Sequence, residues 1–344
     1  MRLVLVSVAG VLSLALAACG GDSSNPTPTP TPTPTGTPTP TPTPTAVAYT
    51  TSETALQYTT EGGVQRVANT QFVAPAMGSV FGFTPAQNGY TYTLLNGTVN
   101  PSPSEAAIFT ATSTKTCDVP ALCFGNAFFF QEIPAGAGKY HLSRFITGAG
   151  NPLLVLSFAA FGTFEEAFLD GGRQHIDLRP FAYGISSPAG AIPTTGTVTF
   201  NGVVAGQATG NKPGATGTSN IYQLGGTSQL VVNYATGTAT LKLVIHGDAI
   251  GCGTTATPAC SPDINATYDS TAGTLAAGVL TFTLPGGGSA KFFLAGGAAA
   301  NPTASPATVA VAPVEVAGSF SLTAVDPNEA GVTMVIAGAG GGLR

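Results

Sequence analysis

Five cysteines and three histidines stand out in a chain of 344 residues with few charges. Cys117 and Cys123 bracket Asp-Val-Pro-Ala-Leu, and Cys252 and Cys260 bracket Gly-Thr-Thr-Ala-Thr-Pro-Ala. Four cysteines allow three pairings. The two local pairings suit an exported chain and would clip two loops, each worth about 2–3 kcal/mol in the chain-entropy account. Zinc is the rival use, but neither spacing is the short Cys-x-x-Cys type with a second pair beside it. His141, His175 and His246 are scattered, and a lone His on a strand reads first as a surface or satisfied core residue. Haem ligation by a His or Tyr would be the chemistry of an iron-acquiring protein, and nothing singles one out. Asp326-Pro327-Asn328-Glu329 offers oxygens for Ca²⁺ but lacks the EF-hand spacing and reads as a turn. Glu165 and Glu166 are adjacent, so a strand would point them to opposite faces, wrong for a paired acid and base. No Gly-x-Ser-x-Gly elbow, P-loop or His-Glu-x-x-His occurs. With few titratable groups able to converge, the expectation is a non-enzymatic protein without a cofactor or metal.

Composition narrows the class further. Charged residues make up 8% of the chain, against about 25% in an average globular domain. The net charge is −5, so the clustered Lys and Arg that nucleic acid demands are missing. Mean hydropathy is +0.29, which excludes an acidic disordered chain. No interior run is long and apolar enough for a helical membrane span. Abundant Gly, Thr and Val with little Leu, Lys or Glu point to an all-β protein rich in turns.

The elements that must position these groups can be read from alternation. Residues 228–234 and 238–246 place Leu230 and Val232, then Ala239, Leu241, Leu243 and Ile245, on one face, with Ala235-Thr236-Gly237 between them. That is the clearest hairpin in the chain. Residues 279–284, 289–294, 315–322 and 332–337 are further strands. Residues 196–206 are expected to form two short strands around a turn or bulge at Asn201-Gly202. Residues 128–130, 140–146 and 153–164 are the strand candidates of the first half. Short strands at close spacing suggest a closed antiparallel barrel, which leaves no exposed edge.

The N-terminus supplies an address. Residues 1–18 have Arg2, an apolar stretch and small residues, as in a secretory signal. Leu16-Ala17-Ala18-Cys19 resembles the lipobox of bacterial lipoproteins. That resemblance implies cleavage before Cys19, a lipidated Cys19 and acyl chains holding the protein to a bilayer. Gly20, where an Asp would imply inner-membrane retention, implies the outer membrane. Loss of Arg2 makes the mature chain one unit more negative. Residues 26–45 alternate Pro and Thr, broken only by Gly36. Polyproline II is what remains to such a segment, reaching roughly 60 Å at about 3.1 Å per residue. Residues 19–45 are thus expected to be a lipidated Cys with a stand-off linker.

From Phe181 onward the chain resembles the β-barrel domain of transferrin-binding protein B and related surface lipoproteins. Three pieces carry this. Phe181-Ala182-Tyr183-Gly184 with residues 192–202 resembles the approach to the barrel. Val232-Asn233-Tyr234-Ala235-Thr236-Gly237-Thr238 resembles the central hairpin. Lys291-Phe292-Phe293-Leu294-Ala295-Gly296, then Glu315-Val316-Ala317-Gly318-Ser319-Phe320, resembles the closing strands, interrupted here by an Ala- and Pro-rich insertion at 298–313. The family's frequent Phe-Tyr-Gly-Pro is absent, and the chain has room for one lobe where transferrin-binding proteins carry two. The resemblance implies an irregular β-rich handle over 46–190 and an antiparallel barrel of about eight strands over 191–344. It also implies a surface-exposed binding module in the outer membrane. Its implied partners are an extracellular protein or an iron- or haem-bearing ligand and an outer-membrane transporter. The alternative is a structural or adhesive envelope lipoprotein without a nutrient ligand. The lack of Trp and scarcity of Arg, both common in binding hot spots, favour that alternative.

Overall fold

Alternating side chains become strands almost everywhere the computed structural model describes the chain. Those residues are 50–60, 67–72, 79–84, 89–94, 106–109, 114–115, 127–135, 138–148, 150–170, 173–211, 221–249, 264–296, 312–327 and 331–344. Cys19, Cys117, Cys123, Cys252 and Cys260, the signal segment and the Pro–Thr linker lie outside them.

The strands of the first half are β1 (Thr50–Glu53), β2 (Leu56–Thr60), β3 (Val67–Phe72), β4 (Ser79–Thr84), β5 (Gly89–Leu94), β6 (Ala106–Phe109), β7 (Thr114–Lys115), β8 (Phe128–Ala135), β9 (Gly138–Phe145), β10 (Ala159–Asp170) and β11 (Arg173–Gly184). One antiparallel sheet runs β3-β2-β11-β10-β9-β8-β7, with β1 also on β11, and β4-β5-β6 form a separate small sheet. The second half contributes β12 (Thr197–Asn211), β13 (Ile221–Asn233), β14 (Thr238–Ala249), β15 (Ile264–Asp269), β16 (Gly273–Ala276), β17 (Val279–Leu284), β18 (Gly288–Ala295), β19 (Glu315–Val325) and β20 (Thr333–Leu343).

These nine strands close on themselves. The order is β13-β12-β20-β19-β18-β17-β16-β14, and β13 also pairs with β14. β15 and β16 both pair with β14, at Lys242–Gly247 and at Thr238–Ala239, so they form two halves of one stave. Ser270 fills the break: its N–H donates to the Leu241 carbonyl at 2.8 Å, and its Oγ accepts from the Leu241 N–H at 2.8 Å. The result is an eight-stave antiparallel barrel beside a strand-rich sheet, the all-β class expected from the alternation.

Every other residue of each stave points inward. Leu230, Val232, Leu241, Leu243, Ile245 and Phe292 are among the side chains filling the barrel, as expected at this strand number. The β13–β14 hairpin turns where the sequence placed it. Asn233 Oδ1 accepts from the N–H groups of Ala235 and Thr236 at 3.1 and 3.3 Å, and Gly237 takes a φ of 64° that suits glycine.

Two sequence expectations are corrected. Residues 197–211 form one unbroken strand, not two around Asn201-Gly202. Gly202 pairs with Ser228 on one side and Gly342 on the other; a Cβ there would collide with the Gly341 carbonyl, so this glycine serves close strand approach, not a turn. Residues 153–158 are not part of a strand either, since β10 begins at Ala159. Side chains of Asn151 and Glu315 accept from backbone donors that a sheet ladder would otherwise satisfy.

The first sheet lies against the barrel across β19 and β20. Phe145, Leu156 and Phe161 pack there against Ala205, Ala317 and Ala339. Small residues on the barrel's outer face let large ones on the sheet close the seam.

Candidate functional surface

The seam is fastened by polar groups from positions far apart in sequence. Glu315, first residue of β19, is 2% exposed. Its carboxylate accepts from the backbone N–H groups of Ser157, Phe158 and Ala159 at 2.7, 2.8 and 3.0 Å. Burial pushes this carboxyl above its ordinary range, and the three N–H donors pull part of the way back. Nearby, Ser52 Oγ donates to the Lys291 carbonyl at 2.7 Å and lies 2.8 Å from Ser319 Oγ. Tyr58 donates to Gln207 Oε1 at 2.9 Å. Burial, with Glu165 nearby, holds the Tyr58 phenol well above its usual pKa, so it remains a neutral donor.

Asn151 does for the loop over residues 146–158 what Glu315 does for its far end. Its Nδ2 donates to the carbonyls of Ala127 and Ile146 at 3.0 and 2.7 Å, and its Oδ1 accepts from Leu153 and Leu154 at 2.8 and 3.3 Å. Leu156 is buried within the seam, with its Cδ1 2.8 Å from where a Cβ on Gly341 would stand.

Two charged clusters sit on the first sheet. On one face Arg179 donates to both oxygens of Asp177, at 3.2 and 2.9 Å, and reaches Glu53 at 3.4 Å, with all three side chains buried. On the other face His141 stands in register between Glu132 of β8 and Glu165 of β10. Its Nδ1 lies 3.3 Å from Glu165 and its Nε2 3.1 Å from Glu132, the second without hydrogen-bond geometry; Lys139 reaches Glu132 at 3.2 Å. Burial alone would lower the His141 pKa, but the hydrogen bond and charge of Glu165, aided by Glu132, raise it overall. The charged imidazole is therefore favoured in the fold. Its contribution to stability is complete below about pH 6.5, the ordinary His value, and is lost as pH rises through the elevated value. His141→Gln is expected to flatten that decline, read as urea midpoints measured across this range.

These groups fasten the fold. Glu165 and Glu166 face opposite ways, as their adjacency predicted, with Glu165 on His141 and Glu166 in register with Tyr140. His175 and His246 lie on β11 and β14 and do not join His141. Asp326 accepts from the Tyr222 hydroxyl at 3.3 Å and closes the β19–β20 connection, its N–H donating to the Val332 carbonyl at 2.9 Å. Among the described residues no group of three or more His, Cys, Asp or Glu is placed to hold a metal ion. No helix there is long and apolar enough to cross a membrane. Sequence reading missed Glu315, although it is the sole charge between Lys291 and Asp326. Asp177 and Arg179, two apart on a strand, were also legible as a same-face pair. Glu53 and Glu132 carried no local signal.

No family model matches this chain, and no curated protein matches it. Solved structures of transferrin-binding protein B resemble it. An intact form with N and C lobes aligns with 87% of this chain and 77% of its own length, at 10% identity and a TM-score of 0.36. A Haemophilus parasuis double mutant aligns over 85% of this chain at 12% identity and a TM-score of 0.34, and the Neisseria meningitidis serogroup B protein over 85% at 12% and 0.33. This chain spans 45% and 43% of those two proteins. Likeness at this level assigns no family, ligand or partner to this chain.

Proposed function

We propose that the chain is a lipid-anchored binding module of the bacterial outer membrane, displayed outward and without enzymatic activity. It captures an extracellular protein or an iron- or haem-type ligand and hands it to an outer-membrane transporter. One observation carries this reading: a lipobox-like Leu16-Ala17-Ala18-Cys19, a Pro–Thr linker and a barrel-plus-sheet body occur in that order in one chain. The body's buried charges support it, because Glu315, Arg179 and Asp177 are engaged in fastening the fold. Cys19 is the lipidation site in this proposal, and Cys117 with Cys123 and Cys252 with Cys260 are its disulfides. Its domains are 1–18 signal, 19–45 anchor and linker, 46–190 handle and 191–344 barrel.

The test is growth of a deletion strain under iron limitation, with haem or an iron-loaded extracellular protein as the iron source. The proposal expects a growth defect that the wild-type gene repairs and Cys19→Ser does not. Equal growth of the deletion strain overturns the nutrient role. The adhesive reading would then stand, favoured by the lack of Trp and by exposed threonines such as Thr240, Thr267, Thr274 and Thr281 across neighbouring strands.

A further inference from the structure

Two Asn-x-Ser/Thr triplets without an intervening Pro occur in the chain, Asn96-Gly97-Thr98 and Asn265-Ala266-Thr267. In an exported protein this triplet is an acceptor for N-linked sugar. The second carries Asp263 two residues before its Asn, the acidic form of the acceptor that bacterial oligosaccharyltransferases use. Asn96 has Leu94 in that place and lies outside the described residues.

β15 places the second triplet within reach of an enzyme. Its side chains alternate: Ile264 is buried in the barrel core, while Asn265, Thr267 and Asp269 are exposed. Asn265 and Thr267 are two apart, so the carboxamide and the hydroxyl of the triplet share the barrel's outer face. Opposite Asn265 on β14 stands His246, also exposed, and opposite Thr267 stands Val244. β15 is six residues long and among the described residues pairs with β14 alone, while the barrel closes through β16. Its other edge therefore presents N–H and C=O groups that no described strand takes up. A short strand held along one side opens more readily than a stave held along both. An edge strand here takes the place of the usual surface loop.

We propose that Asn265 is N-glycosylated after export. The donor is an oligosaccharide carried on a polyprenyl diphosphate, and the catalyst is an oligosaccharyltransferase of the envelope. Asn265 Nδ2 attacks the anomeric carbon of the donor. A C–N bond forms, the bond from that carbon to the diphosphate oxygen breaks, and the polyprenyl diphosphate leaves with the electron pair. The nitrogen gives up one of its two protons, and nothing is oxidised or reduced. The sugar stands off the barrel wall and shields the free edge of β15 from pairing with another strand. This inference rests on the export that the anchored reading above requires.

The test uses the full chain, purified from the membranes of the cells that make it and digested with trypsin. Asn265 falls in one long peptide, Leu243 to Lys291, because no Lys or Arg lies between Lys242 and Lys291. Mass spectrometry should find this peptide heavier than its sequence by a whole number of sugar residues, with fragmentation placing them on Asn265. Asn265→Gln and Thr267→Ala should abolish the shift, and Thr267→Ser should keep it. Both positions are exposed, so these variants fold as the parent does. A shift that survives Asn265→Gln overturns the assignment. An unmodified peptide from a chain that has lost residues 1–18 overturns the N-glycan and leaves the exported reading intact. An unmodified peptide from a chain that still carries residues 1–18 overturns export and glycan together.

Discussion

Glu315→Ala is expected to destabilise the protein, at about 1–3 kcal/mol for each buried donor left without an acceptor. Three N–H donors at residues 157–159 would lose their acceptor together, and buried donors left unmade cost more than a hydrogen bond contributes net. Glu315→Gln separates charge from shape. Gln keeps one acceptor oxygen but presents an N–H group where the second oxygen sat. Because the carboxyl is raised in the fold, the folded state holds its proton more tightly than the unfolded chain. Stability from this group is therefore greatest in acid and declines as pH rises through the raised value. The Gln variant should be less stable than wild type at neutral pH and lack this part of the pH dependence. Denaturant titrations at several pH values check both statements.

Arg179→Met should cost about 3–5 kcal/mol, the range for removing one partner of a buried ion pair. Met approximates the stem of Arg, so packing is largely kept while Asp177 and Glu53 lose their guanidinium in a buried setting. Adding Asp177→Asn to that variant should recover part of the loss, because one uncompensated charge is removed. A double-mutant cycle measured by urea unfolding gives the coupling. Additive losses would mean that the pair does not interact through charge.

The barrel was legible in the sequence because its signal is local. Alternation at 238–246 and 279–284, together with Gly237 at the turn, specifies strands and a hairpin without knowledge of any distant partner. The two corrections arise where distant partners decide. Asn201-Gly202 looks like a turn in isolation, yet Gly202 lies flat between two neighbouring strands, one of them from the end of the chain. Residues 153–158 are aliphatic enough for a strand, but the side chains of Asn151 and Glu315 offer acceptors to four of their backbone N–H groups. The candidate surface was less legible for the same reason. Glu315 acts on residues more than 150 positions away, and His141 gains its two carboxylates only when β8, β9 and β10 align.

The central claim is that the folded body is carried on the outer face of the cell by a lipidated Cys19 and an exposed linker. Protease treatment of intact cells tests it most directly, with fragments identified by mass spectrometry. The account predicts cleavage within residues 20–49 and release of the intact body, while the acylated N-terminal fragment stays with the membrane. Full protection until the outer membrane is permeabilised, or an unmodified Cys19 in the membrane fraction, would contradict it.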